Sequence, residues 1–190
     1  VYSSIIKLKR YKKPPVYHLK DIKTGKKPEH DTSFTVTWDD GNLIFDIKCE
    51  DDDMENLFVT DFVWDGDSVA LLIETPFRSY YQIEVNPDGK VFDADRKVGV
   101  VQKWDSKVQV ETEKGKDFWA VKVKIPVKTP EDNQGDPYHY VVGPKPSKGR
   151  LWYFNIGRVR VRNHKRYGQT FIPTGGGYHV RDKFAKLAIE

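Results

Sequence analysis

The chain has very little sulfur, with one cysteine, Cys49, and one methionine, Met54, among 190 residues. A single cysteine excludes a disulfide within the chain and excludes a zinc finger or thiolate cluster. No apolar run approaches the ~20 residues of a membrane-spanning helix. The sequence also lacks a nucleophile elbow, a phosphate-binding glycine loop and a His-Glu-x-x-His motif, and its five histidines show no metal-ligand spacing. We therefore predict that the chain is not an enzyme.

The residues that are present describe a folded, strongly aromatic chain. Phe, Trp and Tyr make up 13% of the sequence, which is too much for a disordered chain even though 32% of residues are charged. The length suffices for one domain with a full hydrophobic core. Because the sequence opens at Val1, with neither an initiator methionine nor a signal peptide, we expect a mature chain or a domain of a larger protein.

The charges are segregated although the formal net charge is only +4. Residues 39–67 contain eleven acids and one base, whereas residues 138–181 contain nine Lys or Arg and no acid. Two interpretations stay open: the basic region steers an anionic ligand to one surface, or acidic and basic strands lie together and pair. The acidic stretch argues against a nucleic-acid partner for the same domain.

Apolar and polar residues alternate along much of the chain, which is the pattern of strands with one buried face. Clear examples are residues 34–38, 43–49, 81–85 and 119–125. Turn signals separate these segments, and no long stretch has the helical period. We predict an all-β fold, a jelly-roll-like antiparallel β-sandwich, in one domain over residues 31–190. Residues 1–30 are expected to be a basic lead-in that packs on the sandwich and has an edge strand near residues 3–8.

One strand changes its rhythm at Gly157. Its apolar residues keep one phase up to this glycine and the opposite phase beyond it, at Val159 and Val161. Such a change predicts a β-bulge. Past the bulge, three arginines would share one face and repel each other unless acids or a ligand lie opposite: Arg158, Arg160 and Arg162.

Carboxylates are concentrated in two turns, at residues 50–53 and 88–95. Turns this rich in oxygen ligands are either solvated or bind calcium, and neither follows the spacing of an EF-hand loop. No cofactor is required by the sequence. If calcium binds, the candidate ligands are Asp51, Asp53, Asp93 and Asp95.

Six segments, in order, resemble the family 9 carbohydrate-binding modules, which belong to a DOMON-like superfamily of β-sandwiches. Residues 61–73 are similar to the family's "W-x-x-D-S-V-E-x-F-I" strand, and residues 81–89 to its "Y-x-F-x-V-N-P-x-G" strand. The other matches are residues 39–45, 119–126, 152–158 and 183–187. The resemblance covers most of the chain after residue 38 and implies the same sandwich that the alternation predicts.

The resemblance also implies a function, the non-catalytic binding of a terminal sugar between two aromatic side chains. The matching positions are Trp64 and Tyr178, whose rings would stack on the apolar C–H faces of a pyranose. Tyr178 follows three glycines and is expected to be an exposed platform. Sugar hydroxyls need polar partners, and the candidates from the family match and from strand parity are Asn86, Gln82, Glu84 and Arg158.

Several alternatives stay open for these residues. Trp64 follows Phe62 by two positions and could be a buried strand residue, Asn86 could cap its own turn, and the arginines could pair with acids. The sequence departs from the family at Ala70, where a Glu is usual, and in its basic opening, which puts the family's calcium in question. The other tryptophans are predicted to lie in the core: Trp38, Trp104, Trp119 and Trp152.

The expected partner is a polysaccharide or oligosaccharide, with an anionic glycan as a further hypothesis from the basic region. From the resemblance alone, we expect a location outside the cytoplasm, extracellular or periplasmic, and a link to a polysaccharide-degrading enzyme. The alternative is a ligand-free auxiliary sandwich that packs against a glycoside hydrolase or lyase. A haem-binding electron-transfer domain is disfavoured because suitable axial ligands are scarce.

Overall fold

A computed structural model describes residues 5–8, 13–97, 103–147 and 149–189 of the chain. These residues form fourteen strands and very little helix. The strands are β1 Ile5–Leu8, β2 Tyr17–His18, β3 Lys20–Asp21, β4 Thr32–Asp39, β5 Asn42–Glu50, β6 Ser68–Thr75, β7 Arg78–Val85, β8 Val91–Asp95, β9 Gln109–Lys114, β10 Phe118–Lys128, β11 Val141–Val142, β12 Trp152–Arg162, β13 Lys165–Thr170 and β14 Ala185–Ile189. One short helix, α1, spans Pro130–Asn133, and single 3₁₀ turns span Met54–Asn56, Val63–Asp65 and Arg181–Lys183. No helix in this part of the chain is long and apolar enough to cross a membrane.

The strands form two sheets that pack as a sandwich. The first sheet has the order β1-β14-β12-β6-β7-β8, and β13 joins it by pairing with both β12 and β3. The second has the order β11-β10-β5-β4-β2, with β9 also paired to β10. The pairs β1/β14 and β10/β11 are parallel, and the other pairs of described strands are antiparallel. The predicted all-β sandwich is confirmed.

Strands of the N-terminal segment join both sheets. β1 runs along β14 at the edge of the first sheet, β2 pairs with β4 in the second, and β3 pairs with β13. Ile6 and Leu8 of β1 point into the core, as the alternation of the sequence requires. The edge strand predicted near residues 3–8 is described from residue 5 onward, and residues 3 and 4 lie outside the described residues.

The core between the sheets is built from alternate side chains of the strands. Its largest fully buried apolar members are Trp119, Trp152, Tyr81, Phe34, Phe45 and Phe154. Removing a Phe or Leu side chain from water stabilises the fold by about 1.5–3 kcal/mol. The prediction of tryptophans in the core is confirmed, because Trp104, Trp119 and Trp152 are at most 2% exposed and the partly buried Trp38 meets Trp152 edge-on.

Cys49 lies on β5 in this core, opposite Thr32 on β4 and Trp119 on β10. Its side chain has no exposed surface. Burial raises the pKa of the Cys49 thiol to about 11, because the thiolate would lose its hydration. The residue is therefore a small apolar core side chain and not a reactive thiol.

The β-bulge predicted at Gly157 is absent from β12. This strand pairs with β6 without a register shift from Tyr153, opposite Glu74, to Val159, opposite Ser68, and it pairs with β13 equally regularly. The apolar phase changes for another reason: both faces of the strand are buried beyond residue 153, so apolar residues occur on either face. Every second residue of β12 continues to point to the interior, but these side chains change from apolar to cationic at Arg158.

Those cations form an ion cluster in the interior, made of Asp51, Asp67, Arg158, Arg160 and Arg162. Oδ2 of Asp51 accepts hydrogen bonds from all three arginines at 2.8–3.1 Å. Asp67 accepts a further bond from Arg162 at 2.7 Å. Acidic and basic segments therefore pair here, which was one of the two interpretations of the charge segregation.

The two aspartates of the ion cluster respond differently to burial. For Asp51, burial opposes ionisation, but the hydrogen bond from Arg160, the backbone N–H of Asp53 and the charges of the arginines outweigh it and hold its pKa below the ordinary value. For Asp67, burial outweighs the hydrogen bonds and the charge of Arg162, so its pKa is raised. Asp51 is therefore the ionised carboxylate that the three arginines share.

Candidate functional site

A cleft of about 420 Å³ lies on the face of the first sheet that points away from the core. Its volume is within the ~300–1,000 Å³ typical of small-molecule sites. It is lined by Trp64, Gln82, Glu84, Phe92, Arg96, Val159, Arg166, Tyr178 and His179. The structure thus brings together four of the predicted site residues: Trp64, Gln82, Glu84 and Tyr178.

The floor of the cleft follows from the strand register. Gly157 on β12, Ala70 on β6, Glu84 on β7 and Phe92 on β8 lie opposite one another in a single row across the sheet. Side chains in such a row share one face. Gly157 and Ala70 add almost no bulk to the row, and the ring of Tyr178 lies over Gly157.

Trp64 forms one wall of the cleft. It lies on the 3₁₀ turn Val63–Asp65, which is anchored by the buried Val63 and leaves the indole 38% exposed. The indole meets the ring of Phe92 edge-on, with centroids 4.7 Å apart, and the ring of Phe62 at 5.4 Å. Trp64 is therefore a surface residue held in place by aromatic contacts, and not a core strand residue.

Tyr178 forms the other wall. The preceding residues Gly175, Gly176 and Gly177 all have positive φ, which returns the chain towards the sheet at no steric cost. The hydroxyl of Tyr178 donates to the carbonyl oxygen of Arg158 at 2.9 Å. The side chain is half-buried against the sheet, and it is therefore not the fully exposed platform that the sequence predicts. Burial also raises the pKa of the phenol, which stays neutral.

Polar side chains of β7 form a network on the floor. Glu84 accepts hydrogen bonds from Ser68 at 2.8 Å and from Gln82 at 3.0 Å. Gln82 in turn accepts a bond from Nε of Arg96 at 2.9 Å. Burial raises the pKa of Glu84, although the hydrogen bonds from Ser68 and Gln82 act in the opposite direction. This network fixes the direction of each donor and acceptor that faces the cleft.

The rim carries two further nitrogen-bearing side chains, Arg166 and His179. Arg166 donates to the carbonyl oxygens of Trp64 at 2.6 Å and Asp65 at 3.2 Å, which ties β13 to the turn bearing the indole. Nδ1 of His179 lies 3.0 Å from the hydroxyl of Tyr80. Desolvation and the charge of Arg96 lower the pKa of His179, so it is a neutral hydrogen-bonding group at pH 7.

Two predicted sugar ligands do not line the cleft. Arg158 is fully buried on the opposite face of β12, where its guanidinium donates to Asp51 and Thr32, and it contributes to the site only the carbonyl that holds Tyr178. Strand parity places it inside because β12 has no bulge. Asn86 caps its own turn through Oδ1, which accepts from the N–H groups of Asp88 and Lys90. Its buried Nδ2 has no hydrogen-bond partner among the described residues.

The four candidate calcium ligands are not grouped in one place. Asp51 belongs to the ion cluster, and Asp53 lies 3.5 Å from Nε of Arg162. Asp93 accepts from the backbone of Ser106, and Asp95 from that of Lys97. Within the described residues, no three or more His, Cys, Asp or Glu side chains are arranged to hold a metal ion.

The cleft contains residues that sequence reasoning did not select, namely Phe92, Arg96, Val159, Arg166 and His179. Phe92 could have been found from the register, since it is the cross-strand partner of Glu84. Val159 has the parity of the cleft face once the bulge is removed. Arg96 follows the end of β8 and His179 lies in a loop, where alternation gives no direction, and Arg166 is near the start of β13, whose first three residues are all exposed.

Comparison with known proteins shows the fold. No family model and no curated protein sequence matches the chain. Among solved structures, a candidate carbohydrate-binding protein from Bacteroides uniformis is similar with a TM-score of 0.70 and 14% identity, over 98% of this chain and 99% of that one. A family 9 carbohydrate-binding module from Caldicellulosiruptor kristjanssonii in complex with cellotriose has a TM-score of 0.67 and 14% identity, over 98% and 94%. The glucose complex of a family 9 module from that organism gives 0.67 and 12%, over 98% and 96%. The chain has the fold of the family 9 modules.

Proposed function

We propose that the chain binds carbohydrate without turning it over, and that one sugar ring lies in the cleft between Trp64 and Tyr178. The observation that carries the proposal is that Trp64 and Tyr178 line one cleft with a polar floor. The two residues are more than a hundred positions apart in the chain. Support comes from the solved structures with the same fold, two of which are complexes with cellotriose and glucose.

The chemistry of the walls and of the floor suits a pyranose. Its C–H faces are apolar and stack on aromatic rings, while its hydroxyls point outward in the plane of the ring. Trp64 and Tyr178 supply the rings. Gln82, Glu84 and Arg96 supply donors and acceptors whose directions are fixed by their mutual hydrogen bonds. Preorganised polar groups of this kind reduce the entropy lost on binding.

The number of carboxylates in the cleft is the reason for proposing that the chain does not hydrolyse its ligand. Most glycosidases use two carboxyl groups on either side of the scissile bond. Glu84 is the single carboxylate among the described residues that line the cleft, and its two oxygens are already engaged by Ser68 and Gln82. We infer that the module brings a polysaccharide-degrading enzyme, in the same protein or as a partner, to its substrate outside the cytoplasm.

Isothermal titration calorimetry tests the proposal. The wild-type chain would be titrated with glucose, cello-oligosaccharides and uronic-acid oligosaccharides, alongside Trp64→Ala and Tyr178→Ala. We expect saturable binding that weakens about tenfold or more in each variant, since an aromatic contact contributes ~0.5–1.5 kcal/mol beyond its buried area. The matched control is Tyr138→Ala, which removes an exposed aromatic ring from a loop that does not line the cleft.

Two results would count against sugar binding in this cleft. Heat changes no larger than buffer dilution across the whole panel would point to a ligand-free auxiliary domain. Saturable binding that is unchanged in Trp64→Ala, with an intact fold by circular dichroism, would move the site elsewhere on the molecule.

A further inference from the structure

Two arginines flank the single carboxylate of the cleft. Arg96 lies at the Gln82 end of the floor, and Arg166 lies at the Trp64 wall. Both act electrostatically on Glu84, and both line the same volume. The residues that line the cleft thus carry two positive charges and one carboxylate, and burial of Glu84 disfavours its charged form.

Glu84 does not neutralise either arginine by contact. Its oxygens accept from the hydroxyl of Ser68 and the amide of Gln82, both of them neutral donors. Among the described residues, no ion pair within 4.0 Å joins Glu84 to Arg96 or to Arg166. Glu84 therefore compensates neither guanidinium by contact. Arg166 instead has the Asp65 carboxylate 3.9 Å away, so Arg96 is the one of the two with no contacting carboxylate among the described residues.

Arg96 has hydrogen-bonding capacity to spare. It follows β8, its backbone N–H donates to the carbonyl of Tyr80, and its Nε donates to Gln82. Within the described part of the chain, neither Nη atom of Arg96 donates to a protein acceptor. A guanidinium that is oriented through Nε and leaves its two Nη groups unused presents a fork that matches the planar geometry of a carboxylate.

Arg166 is more occupied and adds charge instead. Both of its Nη atoms donate to backbone carbonyls, of Asp65 and of Trp64, and the Asp65 carboxylate lies 3.9 Å away. Its role is to position the Trp64 wall and to raise the local positive potential. Arg96 is therefore the cleaner candidate for direct contact with an anionic ligand.

The basicity of residues 138–181 does not by itself support an anionic ligand. Three of its nine bases, Arg158, Arg160 and Arg162, are buried in the ion cluster and are compensated there. The positive charge at the cleft comes from Arg96 and Arg166, and Arg96 lies outside that segment.

We propose that the sugar taken by this cleft carries a carboxylate, so that its ligand class is the uronic acids, with Arg96 as the partner of the carboxylate. The inference rests on the proposed function and narrows it. The aromatic walls hold the sugar ring, and the Nη groups of Arg96 donate hydrogen bonds to its carboxylate near Gln82. Charge-assisted bidentate hydrogen bonds of this kind are about twice as strong as neutral ones.

The test compares an oligouronic acid with its carboxyl-reduced counterpart, which has the same ring and linkage but no charge, by calorimetry on the full chain. We expect the acid form to bind about ten to a hundredfold more tightly, as a charged hydrogen bond contributes. The preference should fall in ~1 M salt, where the screening length is ~3 Å, compared with ~0.1 M.

Variants assign the preference to Arg96. Arg96→Gln is expected to abolish the preference for the acid form, so that the acid and reduced forms bind with affinities within about twofold of each other. Arg96→Lys should restore part of it, because charge returns without the planar fork. The matched control is Arg150→Gln, which removes an exposed charge from the basic segment outside the cleft and should leave the preference unchanged.

Each remaining outcome overturns a defined part of the proposal. Equal affinity for the acid and reduced forms, or an undiminished preference in Arg96→Gln, contradicts the uronic-acid inference but leaves sugar binding intact. Tighter binding of a sulfated oligosaccharide than of the uronate keeps an anionic ligand and contradicts the carboxylate. Failure of every sugar to bind contradicts the proposed function itself.

Discussion

The ring of Tyr178 lies so close to Gly157 that a Cβ atom at residue 157 would come within 2.4 Å of its Cδ1 atom. Real Cβ contacts are essentially never this short, so glycine at this position is what allows the ring to rest on the sheet. The glycine that suggests a bulge in the sequence serves instead as the seat of one cleft wall.

Gly157→Ala is therefore expected to displace Tyr178 and to weaken sugar binding about tenfold or more. The displaced hydroxyl would lose its bond to the Arg158 carbonyl, a contribution of about 0.5–1.5 kcal/mol. Calorimetry measures the affinity and thermal unfolding the stability. The control is Gly149→Ala, since an added methyl there meets no atom within 4 Å. Wild-type affinity in Gly157→Ala would show that the position of Tyr178 does not matter.

Asp51→Asn is expected to destabilise the fold by about 3–5 kcal/mol, because three buried guanidinium groups would lose their shared carboxylate. Urea denaturation of both proteins measures the difference in the free energy of unfolding. Asp46→Asn on the same strand is the control: Asp46 is exposed and pairs with Lys122 at 3.6 Å, so its loss should cost less than about 1 kcal/mol. A loss for Asp51→Asn no larger than that of the control would mean that Asp51 does not organise the ion cluster.

Glu84→Gln is expected to change how stability depends on pH. Because the pKa of Glu84 is raised in the folded state, the folded chain binds this proton more tightly than the unfolded chain does. This contribution therefore favours folding at pH values below the unfolded pKa, and it is lost as pH rises through the folded pKa. The stability of the wild type relative to Glu84→Gln should fall as pH rises above the ordinary glutamate pKa of 4.5, as measured by urea denaturation at a series of pH values. A constant or rising difference would contradict the raised pKa.

Phe92→Ala should weaken sugar binding by releasing Trp64, whose indole meets the ring of Phe92 edge-on. An edge-on aromatic pair contributes about 0.5–1.5 kcal/mol beyond its buried area, so we expect roughly a three- to tenfold loss of affinity. The fluorescence of the indole should also shift to the red, because Trp64 becomes more exposed. Tyr138→Ala again serves as the control. An unchanged emission maximum would mean that Trp64 is held without Phe92.

The parts of the molecule that sequence predicts are those in which one face of a strand is buried and the other is wet. Alternation along β4, β5, β7 and β10 gives the sandwich, and the parity of β7 places Gln82 and Glu84 on the face that carries the cleft. Parity fails on β12, where both faces are buried, so an apolar residue no longer marks the inside. The bulge at Gly157 is predicted wrongly for that reason.

Other features of the site depend on pairing that one sequence does not contain. Phe92 meets Glu84 only because β8 pairs with β7 in one register, and Arg166 reaches Trp64 across a hundred residues of chain. Only the family resemblance points to Trp64 and Tyr178, since aromatic residues before a strand or after glycines also occur in cores. The partner of Arg158 could not be chosen among eleven acids before the sheets were in place.

The buried thiol of Cys49 can report when the two sheets of the sandwich separate. With no exposed surface and a pKa of about 11, the thiol is out of reach of an alkylating reagent while the sheets are packed. Labelling then requires the sandwich to open, and its rate at a fixed reagent concentration follows the open population. A ligand that binds only the closed form would slow labelling by the factor 1 + [L]/Kd. The only cysteine of the sequence thus offers a way to detect binding of colourless sugars without altering a single residue.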